Sequence, residues 1–397
     1  MDDNPPPPDP AHIPPLNPPP PPPPPLAPPP IMFSAPPPPR GRSGTVWMVL
    51  ALVFLALFIV SIFGNLLNIS HTIVPRSRTS FERTHGLEEI VTEHTNSDNK
   101  IAVIDVDGII SGGEIEHSDM TMPDFIAEQL KLAGRDSDVK AVILKVDSPG
   151  GEVLASDEIN KLITQFQENT HKPVIASMGA LAASGGYYVS VPCRWIVANE
   201  LTITGSIGVI MHGYNYRLLM DKIGVRPHVF KSGRFKDMLS GEQEPDDAVL
   251  TDEEKRTRDQ EDQMVQALID ETFDKFKSVV KIGREHAAAL NNGDGKTLVD
   301  DWQDYADGRI LSGKQALNFG FVDELGDFHA AVERAQKITG IPSANLVEYR
   351  MQFDLGSVLS HLLGKSDAPT IKVDLGMDLP NLKAGLPYYI LPTVVLY

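Results

Sequence analysis

The chain has 397 residues, a formal net charge of −18, and a single cysteine, Cys193. That length allows one large or two modest domains. The acidic balance argues against a nucleic-acid partner, which needs basic stripes to neutralise phosphates, and one cysteine excludes an internal disulfide and a cysteine-based zinc site.

Residues 1–43 hold most of the 34 prolines. Proline lacks the N–H and fixes φ, so this stretch reads as a disordered, polyproline-type arm. Residues 44–67 follow as an expected transmembrane anchor, because they contain the uncharged run "TVWMVLALVFLALFIVSIF", and about 20 apolar residues cross a bilayer as a helix. Its distance from the start and its lack of a small-x-small cleavage site favour a retained anchor over a removable signal peptide. Arg40 and Arg42 precede it, and Arg76, Arg78 and Arg83 follow it, so charge alone leaves its orientation open. Residues 68–99 are polar and read as a juxtamembrane linker.

Between residues 100 and 345 the pattern changes. "KIAVIDVDGII", "VKAVILKVDS" and "KPVIASMG" read as buried strands. "MPDFIAEQLKLAG" and "GEVLASDEINKLITQFQEN" read as the helices between them. Such alternation predicts an α/β core with mainly parallel strands. Thr251 and Glu254 form a capping-box pattern that opens a helix with apolar positions from Met264 to Phe276, read as an amphipathic packing helix. "DDWQDYADGRILSGKQALNFGFVDELGD" reads as helix, turn and helix. The C-terminal extension, 346–397, looks less regular and ends in "GLPYYILPTVVLY". Ordinary packing on the core is the expectation for that apolar tail; a strand laid in a substrate groove or against a neighbour is the alternative.

Two short stretches carry candidate chemistry. "VDSPGG" ends a predicted strand, and Gly150 and Gly151 let the backbone turn and leave amides open to a ligand. It is also ordinary turn chemistry. "ASMGALAASGGYYVS" surrounds Ser184 with small residues. Such a serine is either a helix N-cap or a nucleophile whose next amide, on Gly185, faces a developing oxyanion. A nucleophilic serine needs a base. His212 lies 28 residues on and Lys236 lies 52 residues on. A lysine serves only if desolvated, since its reference pKa of about 10.4 must fall by roughly three units; an imidazole needs no such shift.

Five motifs occur in order: "VDSPGG", "SMGALAASGGYYVS", "TGSIGVI", "KSGRFKD" and "ADGRILSGKQALNFGFVDELG". Together they resemble the short, membrane-anchored form of the signal peptide peptidase A family, over about residues 100–340. The resemblance implies a Clp protease/crotonase-like core. It also implies a serine endopeptidase with a Ser-Lys dyad, acting on apolar peptides such as cleaved signal peptides, without cofactor or metal. Ser184 matches the nucleophile and Lys236 the base. Ser206 matches a hydroxyl that orients the lysine, and Gly151 and Gly185 match the oxyanion amides. Also implied are a homo-oligomeric ring that shares catalytic groups between neighbours, contact with membrane lipid, and a bacterial inner-membrane location with the catalytic domain on the extracytoplasmic side. Two other classes compete: a non-catalytic membrane scaffold on the same fold, and a crotonase-type acyl-CoA enzyme, which needs neither the Ser-Lys pair nor an anchor.

Overall fold

The computed structural model describes residues 86–115, 120–244, 249–351 and 387–390, together with Phe54. The expected arm at 1–43 and, Phe54 aside, the expected anchor at 44–67 lie outside the described residues. Among the described residues, no helix is long and apolar enough to cross a membrane.

In chain order the elements begin with β1 (Leu87–Glu93), β2 (Lys100–Asp107), α1 (Met122–Arg135), β3 (Val139–Ser148), β4 (Gly150–Glu152) and α2 (Val153–Thr170). Next come β5 (Val174–Ala183), α3 (Gly185–Ser190), β6 (Trp195–Ala198), β7 (Ile203–Gly205), α4 (Arg217–Lys222) and α5 (Asp252–Leu290). After a 3-10 turn at Trp302–Tyr305 follow β8 (Ile310–Ser312), α6 (Gly313–Phe319), β9 (Glu324–Leu325), α7 (Phe328–Thr339), β10 (Asn345–Met351) and β11 (Tyr388–Ile390). Nine strands form one sheet in the order β1-β10-β2-β3-β5-β6-β9, with β7 paired to both β5 and β8. The pairs from β10 through β9 are all parallel, as is β5 with β7.

A parallel sheet covered on both faces needs apolar side chains on both. Successive residues of a strand point to opposite faces, and the core divides accordingly. Ile101, Val103, Ile143 and Ile175 pack under α7 with Ala331 and Ala335. Ala102, Ile104, Val142 and Leu144 face the other way, toward α1 and α2 with Ile126, Leu130, Ile159 and Ile163. The helices end where their sequences dictate. Thr121 and Asp124 close a capping box at the start of α1, and the Lys172 ammonium donates to the Ala133, Gly134 and Asp136 carbonyls at its end.

Two expectations are corrected at the margins. Residues 87–93, read as linker, form β1, an edge strand antiparallel to β10. β10 itself, Asn345–Met351, reaches into the region read as an irregular extension and lies parallel to β2. "LEEIVTE" is exposed over nearly its whole length. As a polar edge strand it lacks the apolar alternation that marks a half-buried one. Within residues 300–327, read as helix, turn and helix, the second helix is present as α6, but the first is only a 3-10 turn, and the short strands β8 and β9 flank α6. "ILS" pairs with β7, a partner about a hundred residues upstream that a local pattern does not reveal.

The capping box at Thr251 and Glu254 is present. The helix it opens, α5, has 39 residues, about 58 Å at 1.5 Å per residue. Only its second half packs as expected: Phe276, Val280, Arg284 and Ala287 are buried, whereas Met264 and Leu268 are exposed. The Arg284–Asp323 ion pair, 1% exposed on both sides, locks that half to the sheet. Asp323 also accepts the Ile196 and Lys296 amides. The stretch around α4 is likewise open, with Leu219, Ile223, Val229 and Phe230 exposed.

Candidate active site

β5 stops at Ala183 and α3 starts at Gly185, so Ser184 is the whole of the joint between them. Its backbone sits at φ 54, ψ −114, a region L-residues rarely adopt and one that costs on the order of 1–3 kcal/mol. Two hydrogen bonds hold the turn: the Ser184 amide donates to the Gly205 carbonyl, and the Tyr188 amide donates to the Ser184 carbonyl, each at 2.8 Å. The side chain makes no capping bond. Its Oγ is buried without a hydrogen-bond partner, in a residue 1% exposed. A capping role therefore does not account for Ser184. Small neighbours are required by contact: a Cβ on Gly186 would lie 2.7 Å from the Ser148 carbonyl oxygen.

The glycines of "SPGG" meet this turn. Gly150 has φ +100, and a Cβ built there would lie 2.6 Å from the Gly185 amide nitrogen and collide with the Tyr389 carbonyl oxygen. A Cβ on Gly185 would lie 3.0 Å from the Gly150 Cα and 2.9 Å from that same carbonyl oxygen. Gly151 is in turn pressed against the Ile110 backbone, with which it forms a parallel bridge. The start of α3 and strand β4 thus abut backbone to backbone. The Gly185 amide is the first of its helix and has no intrahelical acceptor.

An extended segment of the chain's own tail lies across this junction. β11 pairs antiparallel with β4, Tyr389 opposite Gly151. On its other edge Tyr388 exchanges both main-chain hydrogen bonds with Ile210, at 2.9 and 3.1 Å. The tail therefore does not simply pack on the core, as its apolar composition suggests; at Tyr388–Ile390 it is a strand threaded between two rims. The Tyr389 ring is fully buried, stacked on Tyr188 at 4.9 Å and tilted against Phe276 at 4.6 Å. Tyr188 is fixed behind by its hydroxyl, which donates to Asp157 at 2.7 Å. Burial pushes the Asp157 carboxyl up, but the hydrogen bonds from Lys161 and Tyr188 outweigh it, and the group stays below the usual carboxylate range. Burial raises the Tyr188 and Tyr389 phenols, keeping both protonated.

The remaining sequence candidates are placed unequally. Ser206 is 3% exposed, has φ 50, and directly follows the Gly205 carbonyl that binds the Ser184 amide. Its own amide donates to Arg309. Ser184, Ser206, Gly151 and Gly185 therefore gather at the end of β5. Lys236 does not join them by a hydrogen bond: it is exposed, in the open stretch beyond α4, and the Ser184 Oγ has no partner. His212 is not bonded to Ser184 either, its Nε2 being buried and unpartnered. Sequence reasoning missed Tyr188, Thr272 and Phe276, which surround the Tyr389 ring. Tyr188 lies in the same "SGGYY" stretch as Ser184, but nothing local links it to a helix nearly ninety residues on.

The family model for peptidase family S49 matches residues 167–341, the span that holds Ser184, Ser206 and Lys236. A protein named "Putative signal peptide peptidase SppA" from Enterococcus faecium is 33% identical over 285 residues, which are 71% of this chain and 76% of that protein. The chain belongs to the signal peptide peptidase A family. Like the other members it is a serine protease of the signal peptide peptidase type. A "Putative protease" from Synechocystis is similar at 37% identity over 247 residues, covering 62% of this chain and 77% of its own length. Protease 4 of Haemophilus influenzae is also 37% identical, over 246 residues, covering 62% of this chain but only 36% of that longer protein.

Proposed function

We propose that this chain is a membrane-anchored serine endopeptidase that cuts extended apolar peptides, such as cleaved signal peptides, with Ser184 as nucleophile and Lys236 as base. One observation carries the reading: a buried serine hydroxyl with no partner, on a left-handed turn, beside a groove in which an extended strand is seated. A substrate strand adding to β4 and Ile210 would be aligned by main-chain hydrogen bonds alone, which suits peptides of varied sequence. In this reading Ser184 Oγ bonds to the scissile carbonyl carbon as the Lys236 amine takes its proton. The Gly185 and Gly151 amides stabilise the oxyanion, the C–N bond breaks, and the lysine proton leaves on the amine. Water then hydrolyses the acyl-enzyme, with its proton passing through the same base. Ser206 orients the lysine.

Because Lys236 is exposed and unbonded to Ser184 within one chain, the lysine of each site comes from a neighbouring copy in a ring. The bare apolar side chains around α4, with Phe230 87% exposed, and the exposed Met264 and Leu268 on α5 support such an assembly. The anchor at 44–67 would hold the Clp protease/crotonase-like core at the extracytoplasmic face of a bacterial inner membrane. Hydrolysis of a fluorogenic apolar peptide by Ser184→Ala, Lys236→Ala and His212→Ala tests the roles: loss in the first two and retention in the third. Mixing the two inactive variants should restore part of the activity if the dyad is shared. Retention in Lys236→Ala with loss in His212→Ala would overturn the dyad in favour of an imidazole base.

A further inference from the structure

The loop that carries Lys236 is tied to the open half of α5 by a short polar chain. Lys236 itself is exposed, but the residue after it is held at both its side chain and its main chain. The Asp237 carboxylate accepts the Lys231 ammonium on both oxygens at 2.7 Å, and the same ammonium donates to the Arg234 carbonyl at 3.2 Å. Residues 231–237 are thereby closed on themselves around the lysine. The Asp237 carbonyl accepts the Ser240 amide at 3.0 Å and the Gln243 side-chain amide at 2.9 Å. That amide nitrogen also donates to the Glu261 carboxylate on α5, at 3.2 Å, so its two protons join loop to helix. Two contacts flank the link: Arg234 donates to the Gln260 side chain at 2.8 Å, and Arg258 donates to the Glu244 carbonyl.

Glu261 is the odd member of its helix. Among the described residues of α5 ahead of Phe276 it alone is buried, at 6% exposure. A carboxylate is a costly group to bury for packing alone. An apolar side chain there would cover the loop without gripping it; the carboxylate adds direction, an acceptor for one particular proton of Gln243. The helix behind it is anchored in the core by Arg284 and Asp323, about 34 Å further along at 1.5 Å per residue.

We infer that Glu261 is a positioning residue for the general base: through Gln243 and the Asp237 main chain it sets where α5 presents Lys236. This rests on the assignment of Lys236 as base above and adds to it the groups that aim it. A lysine on a loose loop holds its working position for a fraction of the time, and a misplacement of about 1 Å costs about a hundredfold in rate. Substrate is aligned by β4 and Ile210 instead, so the effect falls on kcat and spares KM.

The test is a donor-acceptor swap in the full chain, read by hydrolysis of a fluorogenic apolar peptide. Gln243→Glu removes the donor and sets two carboxylates against each other; adding Glu261→Gln returns a donor between the two side chains. Glu261→Ala and Gln243→Glu should each lower kcat about ten- to a hundredfold and leave KM within about twofold. The Gln243→Glu/Glu261→Gln chain should be several-fold faster than Gln243→Glu alone, a coupling that independent sites do not show. Hydrogen exchange over residues 231–243 should quicken in Glu261→Ala and stay unchanged in β3 and β5. Asp262→Ala, an exposed neighbour on the same helix, is the control and should match the parent in both readouts. If Lys236→Ala is inactive and Glu261→Ala keeps the parent kcat, the positioning role is overturned and the dyad stands, whether or not exchange quickens. A swap that regains nothing, or a loss that appears in KM, also overturns the role. Activity that survives Lys236→Ala, or a parent chain that cuts no peptide, overturns the base assignment and the role built on it.

Discussion

Gly150→Ala loads two separable strains onto the junction beneath the groove. The first is conformational: Gly150 sits at φ +100, and an L-residue held in so sparsely populated a region costs roughly 1–3 kcal/mol. The second is steric: the new methyl lies 2.6 Å from the Gly185 amide nitrogen and strikes the carbonyl oxygen of the strand in the groove. Neither neighbour is the end of a flexible side chain, so β4 or the start of α3 must move. A loss of about 2 kcal/mol lowers the melting temperature by roughly 4–8 °C in a domain of this size. Displacing one oxyanion donor lowers kcat by about 100- to 1,000-fold. The methyl also bars any carbonyl from that position, the substrate's as much as the tail's, so release of the tail does not compensate. Gly340→Ala is the control, since Gly340 has φ +69 with nothing within 4 Å of its Cβ position; it should lower stability by about 1 kcal/mol and leave hydrolysis unchanged. Calorimetry and peptide hydrolysis on both variants complete the test. If Gly150→Ala hydrolyses peptide within threefold of the parent, the abutting amides are not the oxyanion site.

Three further outcomes follow from the same structure. Arg284→Ala strands Asp323 as an unpaired carboxylate in the core and should cost about 3–5 kcal/mol in denaturant unfolding; a loss under 1 kcal/mol would mean water reaches the pair. Tyr389→Ala empties the aromatic pocket and should raise hydrolysis of short peptides severalfold, whereas unchanged rates would show that the tail does not compete with substrate. Asp136 is pushed up by burial but held lower on balance by Lys100 and the Asp138 amide. Its folded pKa is below the unfolded value of about 3.9, so its stabilisation is complete above that pH and lost as pH falls through the folded value. Asp136→Asn should therefore lower stability near pH 6 and flatten the acid limb of a melting-temperature profile; an unchanged limb would remove Asp136 from acid unfolding.

What could be read from the chain alone was whatever is written locally. "KIAVID", "AVILKV" and "VIASM" are continuous apolar runs because each strand is covered on both faces, and they appear as β2, β3 and β5. Thr251 and Glu254 announce α5 because a capping box is complete within four residues. Ser184 stood out for its small neighbours, and contacts such as that of Gly186 with Ser148 show why they must be small. What escaped was set by distant partners. β1 is polar and takes its place from β10, more than 250 residues away. The apolar positions in the first half of α5 promised a packed face, but helical spacing does not say where the body of the protein ends. The tail's apolar composition pointed to packing on the core ahead of pairing as a strand. Its register against Gly150–Glu152 depends on the ring pocket formed by Tyr188 and Phe276, which only the folded chain assembles.

The measurement that bears most directly on Ser184 is covalent labelling with a small fluorophosphonate, read by peptide mass spectrometry on the full chain and on Tyr389→Ala. A single adduct on Ser184, faster in Tyr389→Ala and absent from Ser184→Ala together with peptide hydrolysis, is the predicted result. Hydrolysis that survives in Ser184→Ala, or an adduct on another serine whose removal abolishes it, would contradict the assignment of Ser184 as the nucleophile.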